Sequence, residues 1–149
     1  AHSQSHVTWL NLNDSSSRHR VDTGSGLQST FDLNNRFVAS VDSRNAVTLF
    51  EAASGRTRSR LELGDVNLQT IGVALSPTGD CIVTSHDRFV ANVWDTSTGA
   101  IRHSYIVGEP YDPYSAGDRD HAAIVAFRAD GKQVLITHRD YAAVVPTEF

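Results

Sequence analysis

Short apolar segments rich in β-branched and aromatic residues alternate with turn-forming residues along most of the chain. In the middle of the chain the apolar segments are Val73-Ala74-Leu75, Cys81 to Ser85, Val90 to Trp94 and Ile101 to Val107. The turn-forming segments between them are Ser76 to Gly79, His86 to Arg88 and Thr96 to Gly99. No window of about 11 residues carries apolar residues at helical spacing. The pattern therefore predicts four short strands in this region and almost no helix.

The same arrangement recurs when the sequence is shifted by 44 residues. Arg36 to Val41 then falls on Asp80 to Ser85, and Ala46 to Glu51 falls on Val90 to Asp95, without a gap. The start of the chain fits at a shift of 40, and the end fits at a shift of 52 because eight extra residues lie between Tyr111 and Asp118. Four short antiparallel strands repeated at this period are typical of β-propeller blades.

Two kinds of segment resemble the WD-repeat family of β-propellers. Val93-Trp94-Asp95, followed by Thr98-Gly99, resembles the end of the third strand and its turn in WD repeats. Leu75 to Gly79 and Phe127 to Gly131 resemble the turn after the first strand of that family. The resemblance covers about residues 7–149. It implies an all-β propeller that serves as an intracellular protein–protein interaction scaffold within a protein complex.

The sequence also departs from the family pattern. The Gly-His pair that precedes the first strand in WD repeats reads Gly64-Asp65 and Gly117-Asp118 here. The Trp-Asp pair reads Leu10-Asn11, Phe50-Glu51 and Pro146-Thr147 in the other copies. We therefore expect the hydrogen-bonded network of the family to be mostly missing, with apolar packing in its place. We expect Trp94, Phe50 and Leu10 to be buried at equivalent positions.

The repeat divides the chain into the parts of one incomplete β-propeller domain, residues 1–149. These are a partial blade (1–24), two blades (25–64 and 65–108), an insertion loop (109–120) and a second partial blade (121–149). The register amounts to about three blades, whereas closed propellers have at least about four. Since the sequence also contains no methionine, we expect it to belong to a larger protein or assembly. Other polypeptide should then cover open blade faces, such as one carrying Val134, Ile136 and Val144.

Composition excludes several classes of function. A net charge of −4 and the absence of basic clusters argue against nucleic-acid binding. The apolar runs, such as Ala142 to Val145, are too short to cross a bilayer, so we expect no membrane insertion. The single cysteine, Cys81, cannot form an internal disulfide and aligns with an apolar strand position. It indicates a buried core thiol and an intracellular location.

The histidines and acidic residues do not form a recognisable catalytic or metal site. A metal site needs two or three converging ligands, but His2 and His6 lie in a polar terminus and the other five histidines are spread through strands and loops, so we expect no metal, no cofactor and no catalytic residue. Ser85-His86-Asp87 contains the residue types of a hydrolase triad, but consecutive residues in a tight turn cannot form one. The alternative is a ligand-binding, metal-binding or enzymatic propeller that uses polar residues of the loops between second and third strands, such as Arg44, Asp87 and Asp140.

Candidate protein contacts lie in the insertion and in the loops between second and third strands. Tyrosine and arginine are enriched at the energetic centres of interfaces. An insertion that is only a polar surface loop remains the alternative. The predicted contact residues are Tyr111, Tyr114 and Arg119 in the insertion, and His86, Arg88 and Arg139 in the loops.

Overall fold

In the part of the chain that it describes, the computed structural model contains thirteen β-strands and no helix. The structure describes residues 5–11, 14–24, 28–32, 34–42, 44–63, 70–86, 90–107, 123–138 and 141–147. The all-β fold predicted from the sequence is confirmed. The strands, in chain order, are β1 (Ser5–Asn11), β2 (Asp14–Gly24), β3 (Gln28–Phe31), β4 (Phe37–Val41), β5 (Ala46–Glu51), β6 (Thr57–Glu62), β7 (Thr70–Leu75), β8 (Cys81–His86), β9 (Val90–Asp95), β10 (Ile101–Ile106), β11 (Ala123–Phe127), β12 (Gln133–His138) and β13 (Tyr141–Pro146).

These strands form four antiparallel sheets in which neighbours in the sheet are also neighbours in sequence. Two sheets have four strands each, β3 to β6 and β7 to β10, and are complete blades. The strands β11 to β13 form a three-stranded sheet, and β1 and β2 form a two-stranded one. The described strands therefore form an incomplete propeller ring.

The predicted repeat of 44 residues is confirmed by the strand pairing. Val38 pairs with Phe50 in the first complete blade, and Ile82 pairs with Trp94 in the second. Val38 and Ile82 are 44 residues apart in the sequence, and so are Phe50 and Trp94. Trp94 and Phe50 are both buried, with 3% and 5% of their surface exposed. The side chain of Leu10 lies outside the described residues.

The turn between the first and second strands repeats down to individual hydrogen bonds. The fourth residue after the first strand of the sheet has a positive φ in three sheets: 54° at Asn35 and 74° at Gly79 and Gly131. Its backbone N–H donates to the carbonyl oxygen three residues earlier in each case, at 2.9–3.0 Å. Glycine and asparagine are the residues that tolerate this left-handed conformation. The turn chemistry read from the sequence therefore fixes where each hairpin begins.

The turn between the third and fourth strands also repeats in the two complete blades. Asp95 N–H donates to Ala100 O, and Gly99 N–H donates back to Asp95 O, both at 2.9 Å. Glu51 forms the same pair of bonds with Arg56 and Gly55. These reciprocal bonds close a short hairpin, so that the fourth strand follows directly from the third.

The Asp95 carboxylate stabilises its hairpin and should make the free energy of unfolding depend on pH in the acid range. Hydrogen bonds from the Ser97 hydroxyl and from Arg102 hold the pKa of Asp95 well below its usual range. We expect Asp95→Asn to lower the free energy of unfolding by about 1 kcal/mol at neutral pH, since solvent screens this half-exposed pair. The folded-state pKa is depressed, so the wild-type advantage is present above the unfolded-state pKa of about 3.9 and disappears as the pH falls toward the folded-state value. Urea unfolding at about pH 7 and at about pH 2.5 measures both effects.

The matched control for Asp95→Asn is Glu51→Gln at the equivalent position of the preceding blade. The Glu51 carboxylate accepts a hydrogen bond from the Ser54 hydroxyl, so this substitution should change stability less. An equal difference between wild type and Asp95→Asn at both pH values would contradict the role assigned to the carboxylate.

Apolar side chains fill the space between the two complete blades and the space between the second complete blade and the sheet of β11 to β13. Successive side chains of a strand point to opposite faces of its sheet, so one set packs against the preceding sheet and the other set against the following sheet. The layer between the two complete blades contains Ala39, Val41, Val47, Leu49, Leu61 and Leu63 from one side and Val73, Leu75, Ile82 and Trp94 from the other. The next layer contains Cys81, Val83, Ala91, Val93 and Val107 packed against Val134 and Ile136. Cys81 is 3% exposed, which confirms the buried core thiol predicted from the sequence, and this burial raises the pKa of the thiol to about 11.

Two sequence-based assignments in the last sheet are wrong. Val134 and Ile136 do not lie on an open face: both are buried against the preceding blade, with 0% and 1% exposed. The Trp94 position corresponds to Val145 and not to Pro146, because Val134 pairs with Val145 as Ile82 pairs with Trp94. The cause is a turn between β12 and β13 that is one residue shorter than the turn between β8 and β9.

Candidate interaction surface

Most of the predicted contact residues lie outside the described part of the chain. This applies to the insertion and to two loop residues, namely Tyr111, Tyr114, Arg119, Arg88 and Arg139. His86 is described, and the structure corrects its assignment as a turn and contact residue. It is the last residue of β8, and only 2% of its surface is exposed. A side chain buried to this extent is not available to a partner protein.

His86 instead belongs to a buried polar network within its blade. Trp94 Nε1–H donates to Thr84 Oγ1 at 2.9 Å, and Thr84 Oγ1 lies 2.9 Å from His86 Nε2. The Asn92 amide nitrogen, which can only donate, lies 3.3 Å from the same ring nitrogen. If Nε2 accepts from both groups, a neutral ring carries its proton on Nδ1, which lies 3.4 Å from Thr70 Oγ1. A chain of hydrogen bonds from Trp94 through Thr84 to His86 is therefore present in this blade, where the sequence predicted mainly apolar packing, and its histidine comes from the second strand.

The network also links the two complete blades. Thr70, at the start of β7, donates from its backbone N–H to Asn45 Oδ1 at 3.1 Å, and its hydroxyl donates to the same oxygen. Asn45 lies in the turn between β4 and β5 of the preceding blade. Ser85 and His86 are consecutive in β8, so their side chains point to opposite faces and do not form a nucleophile–base pair. The geometry assigns this cluster to holding blades together.

The last sheet exposes an apolar face. Ile124, Leu135 and Val144 lie on three adjacent strands and are 64%, 40% and 61% exposed. They alternate with the residues that pack against the preceding blade, so they lie on the opposite side of the sheet. We call the side formed by Ile124, Leu135 and Val144 the open face. Contiguous exposed apolar side chains of this kind mark protein contact surfaces.

The same positions are buried in the complete blades. Leu135 corresponds to Val83, and Val144 corresponds to Val93, by the strand register. Val83 and Val93 are 0% exposed, because the next sheet packs on them. The open face therefore repeats the surface on which one blade receives the next. Val144 was predicted on an open face from the sequence, whereas Ile124 and Leu135 were not, although Leu135 lies 52 residues after Val83, at the shift that aligns the last sheet.

A separate shallow cavity of about 280 Å³ lies where the first strands β3, β7 and β11 approach one another. Phe31, Leu75 and Phe127, which are equivalent in the repeat, contribute to its lining, and none of its lining residues is ionisable. Among the described residues, no three His, Cys, Asp or Glu side chains come together in a way that could hold a metal ion. The cavity therefore offers apolar contact and no acid–base chemistry. In the described ranges there is also no helix that is long and apolar enough to cross a membrane.

Comparison with known proteins identifies the fold and nothing more specific. No protein-family model and no curated protein matches the sequence. Among solved structures, the chain is similar to one described as "KlHsv2 with loop 6CD replaced by a Gly-Ser linker", with a TM-score of 0.59 and 13% sequence identity. The match covers 76% of this chain and 36% of that chain, so this chain corresponds to little more than a third of its length. At this identity the similarity is one of fold alone.

Proposed function

We propose that the chain is a non-catalytic protein–protein interaction scaffold, a WD-repeat-like propeller segment of a larger protein or assembly. The observation that carries the proposal is the open face of Ile124, Leu135 and Val144, which is apolar and exposed. A partner polypeptide that packs on this face would take the place that the next sheet takes in the complete blades.

The energetics of the open face favour a protein as its ligand. Burying a valine, leucine or isoleucine side chain completely contributes roughly 1.5–3 kcal/mol. The three side chains of the open face are uncharged, and the chain as a whole has a net charge of −4, so the surface has nothing to attract a phosphate backbone. An apolar sheet face of another polypeptide, packed at about 10 Å, fits the chemistry. With a lone buried thiol and no disulfide, the scaffold would work in an intracellular compartment.

Site-specific photo-crosslinking tests the proposal. A benzophenone amino acid replaces Leu135 on the open face or, as the control, Ile106 on the outer strand β10. Ile106 is also apolar and is 79% exposed, but its equivalent in the preceding blade is the exposed Glu62, so this position faces solvent in both blades. We expect irradiation in the cells of origin to yield a discrete crosslinked polypeptide from position 135 and not from position 106. Crosslinking at position 135 that does not exceed the level at position 106 would contradict the proposal.

A further inference from the structure

The outer edge of β13 lacks the neighbour that third strands have in the complete blades. There, β6 pairs with β5 and β10 pairs with β9 on the outer side. By register β13 is the third strand of its sheet, and among the described strands it pairs with β12 only. This edge therefore presents backbone hydrogen-bond donors and acceptors with which another strand can pair.

The hydrogen-bond pattern identifies which groups point outward from β13. Asp95 and its equivalent Glu51 direct their N–H groups toward the fourth strand, whereas Thr147 N–H donates inward to Lys132 O at 3.0 Å. In an antiparallel strand, successive residues direct their backbone groups to opposite sides. Counting back from Thr147, Val144 and Ala142 present their N–H and C=O groups to the outer edge.

β13 lacks the donor of one of the two hydrogen bonds that close the hairpin to the fourth strand in the complete blades. Pro146 occupies the position of Asp95 and has no N–H to close the turn. The Pro146 carbonyl accepts a hydrogen bond from the Tyr105 hydroxyl of the preceding blade at 2.6 Å. In the complete blades the equivalent carbonyl accepts the backbone N–H of Gly55 or Gly99. The hairpin would therefore lose one of its two closing bonds, and its other acceptor, the Pro146 carbonyl oxygen, is already bonded to Tyr105.

We propose that an extended segment of another protein adds to β13 as an antiparallel fourth strand and bonds to the outward groups of Ala142 and Val144. The proposal specifies the docking mode of the scaffold and in that sense rests on the proposed function. Strand addition of this kind derives its affinity from main-chain hydrogen bonds and its specificity from alternate side chains.

The fourth strands of the complete blades define the chemistry of this segment. Opposite the position of Ala142 they carry Leu61 and Tyr105, and two residues further on they carry Leu63 and Val107. Three of these side chains are buried and Tyr105 is partly buried. The segment should therefore have apolar residues at two alternate positions. The described fourth strands with this pattern, β6 and β10, are already paired with β5 and β9, so a second copy would have to open a blade to donate one of them.

A peptide-binding measurement on the full chain tests the proposal. The probe is a fluorescent peptide with the sequence of residues 100–108, which includes β10, and the readout is fluorescence anisotropy. Ala142→Pro removes the outward N–H and leaves the ladder to β12 intact, because Ala142 directs its N–H away from β12. We expect this variant to bind the peptide at least about tenfold more weakly than wild type, since edge hydrogen bonds are lost. The control Ala142→Thr keeps the N–H and should bind as wild type does.

Amide hydrogen exchange is the second readout and reports directly on the edge. In the chain alone, the amides of Ala142 and Val144 should exchange fast, while those of Ala143 and Val145, which face β12, should exchange slowly. Added peptide should slow exchange at Ala142 and Val144.

Three results would overturn the strand-addition proposal. The first is peptide binding that Ala142→Pro leaves unchanged, or no peptide binding at all. The second is slow exchange at Ala142 and Val144 in the chain alone at every concentration, which would mean that the chain itself occupies the edge. The third is exchange at these amides that slows as the protein concentration rises, which would identify a second copy as the occupant. If peptide binding fails while crosslinking at Leu135 persists, only the strand addition is wrong.

Discussion

Trp94→Ala should lower the free energy of unfolding by about 3–5 kcal/mol, the largest effect that we expect from a single substitution in this chain. Trp94 is 3% exposed and packs in the layer between the two complete blades. Removing the ring leaves a cavity in that layer and takes away the donor to Thr84 Oγ1 at 2.9 Å. Denaturant unfolding, followed by circular dichroism, measures the change through the transition midpoint and its slope.

Two further substitutions separate packing from hydrogen bonding at this position. Trp94→Phe keeps an aromatic ring but removes the indole N–H, and we expect a loss of about 1–2 kcal/mol. Thr84→Val removes the hydroxyl that joins Trp94 to His86, and we expect a loss of about 1–3 kcal/mol because both partners then remain buried. Since both changes remove the same bond, the double variant should be less destabilised than the sum of the two. A loss below about 1 kcal/mol for Trp94→Ala would show that this layer is not the stabilising contact between the blades.

Gly79→Ala should be the second most damaging of the substitutions considered, at about 2–4 kcal/mol. Gly79 has a φ of 74°, which alone disfavours alanine. A Cβ atom there would also lie 2.5 Å and 2.8 Å from two ring carbons of Phe37, in the preceding blade. The ring packs against the core layer, and the Arg58 guanidinium lies 4.5 Å from its centroid. The added methyl group therefore forces the two blades apart or displaces the ring.

Gly99→Ala is the matched control for this effect. Gly99 has nearly the same φ, 73°, but an added Cβ there would meet only Leu61 Cδ2, at the ordinary distance of 3.5 Å. We expect about 1–2 kcal/mol from the backbone conformation alone. Phe37→Leu should partly restore the stability of Gly79→Ala by making room for the methyl group. Equal losses for Gly79→Ala and Gly99→Ala in thermal or denaturant unfolding would show that the contact with Phe37 is relaxed at no cost.

The repeat was readable from the sequence because turn residues and strand residues recur together. Gly79 and Gly131 marked the turns after first strands, and the spacing of Phe50 and Trp94 gave the blade period of 44 residues. These features are local, since a left-handed turn residue and a run of β-branched residues act on the backbone near them. The blade period and the division of the chain into blades could therefore be predicted without tertiary information.

The faces of the last sheet could not be predicted in the same way. β12 contains Val134, Leu135 and Ile136 in succession, so it is apolar on both sides and its sequence does not distinguish them. The run from Ala142 to Val145 is likewise compatible with two registers. The hydrogen bonds of Thr147 to Gly131 and Lys132, which fix the register, join residues that are distant in sequence.

The site assignment failed at His86 for a related reason. A histidine between a strand and an Asp-Arg pair has the sequence context of a turn. Its burial depends on Thr84, Asn92 and Thr70, which come from three strands and surround the ring with hydrogen-bonding groups. Only the folded sheet brings these residues together. Ile124 and Leu135 of the open face were missed because their exposure depends on what packs against the sheet, which the sequence of a single strand does not reveal.

The order of strands within each sheet has a consequence for how the protein folds. Because every sheet is built from strands that follow one another along the chain, its contacts close short loops, and proteins rich in local contacts fold fast. A blade can form its hairpins as soon as its own residues leave the ribosome, without waiting for a distant segment. The sheet of β11 to β13 differs in one respect: if its fourth strand comes from another protein, its maturation becomes a second-order step whose rate rises with the concentration of that partner.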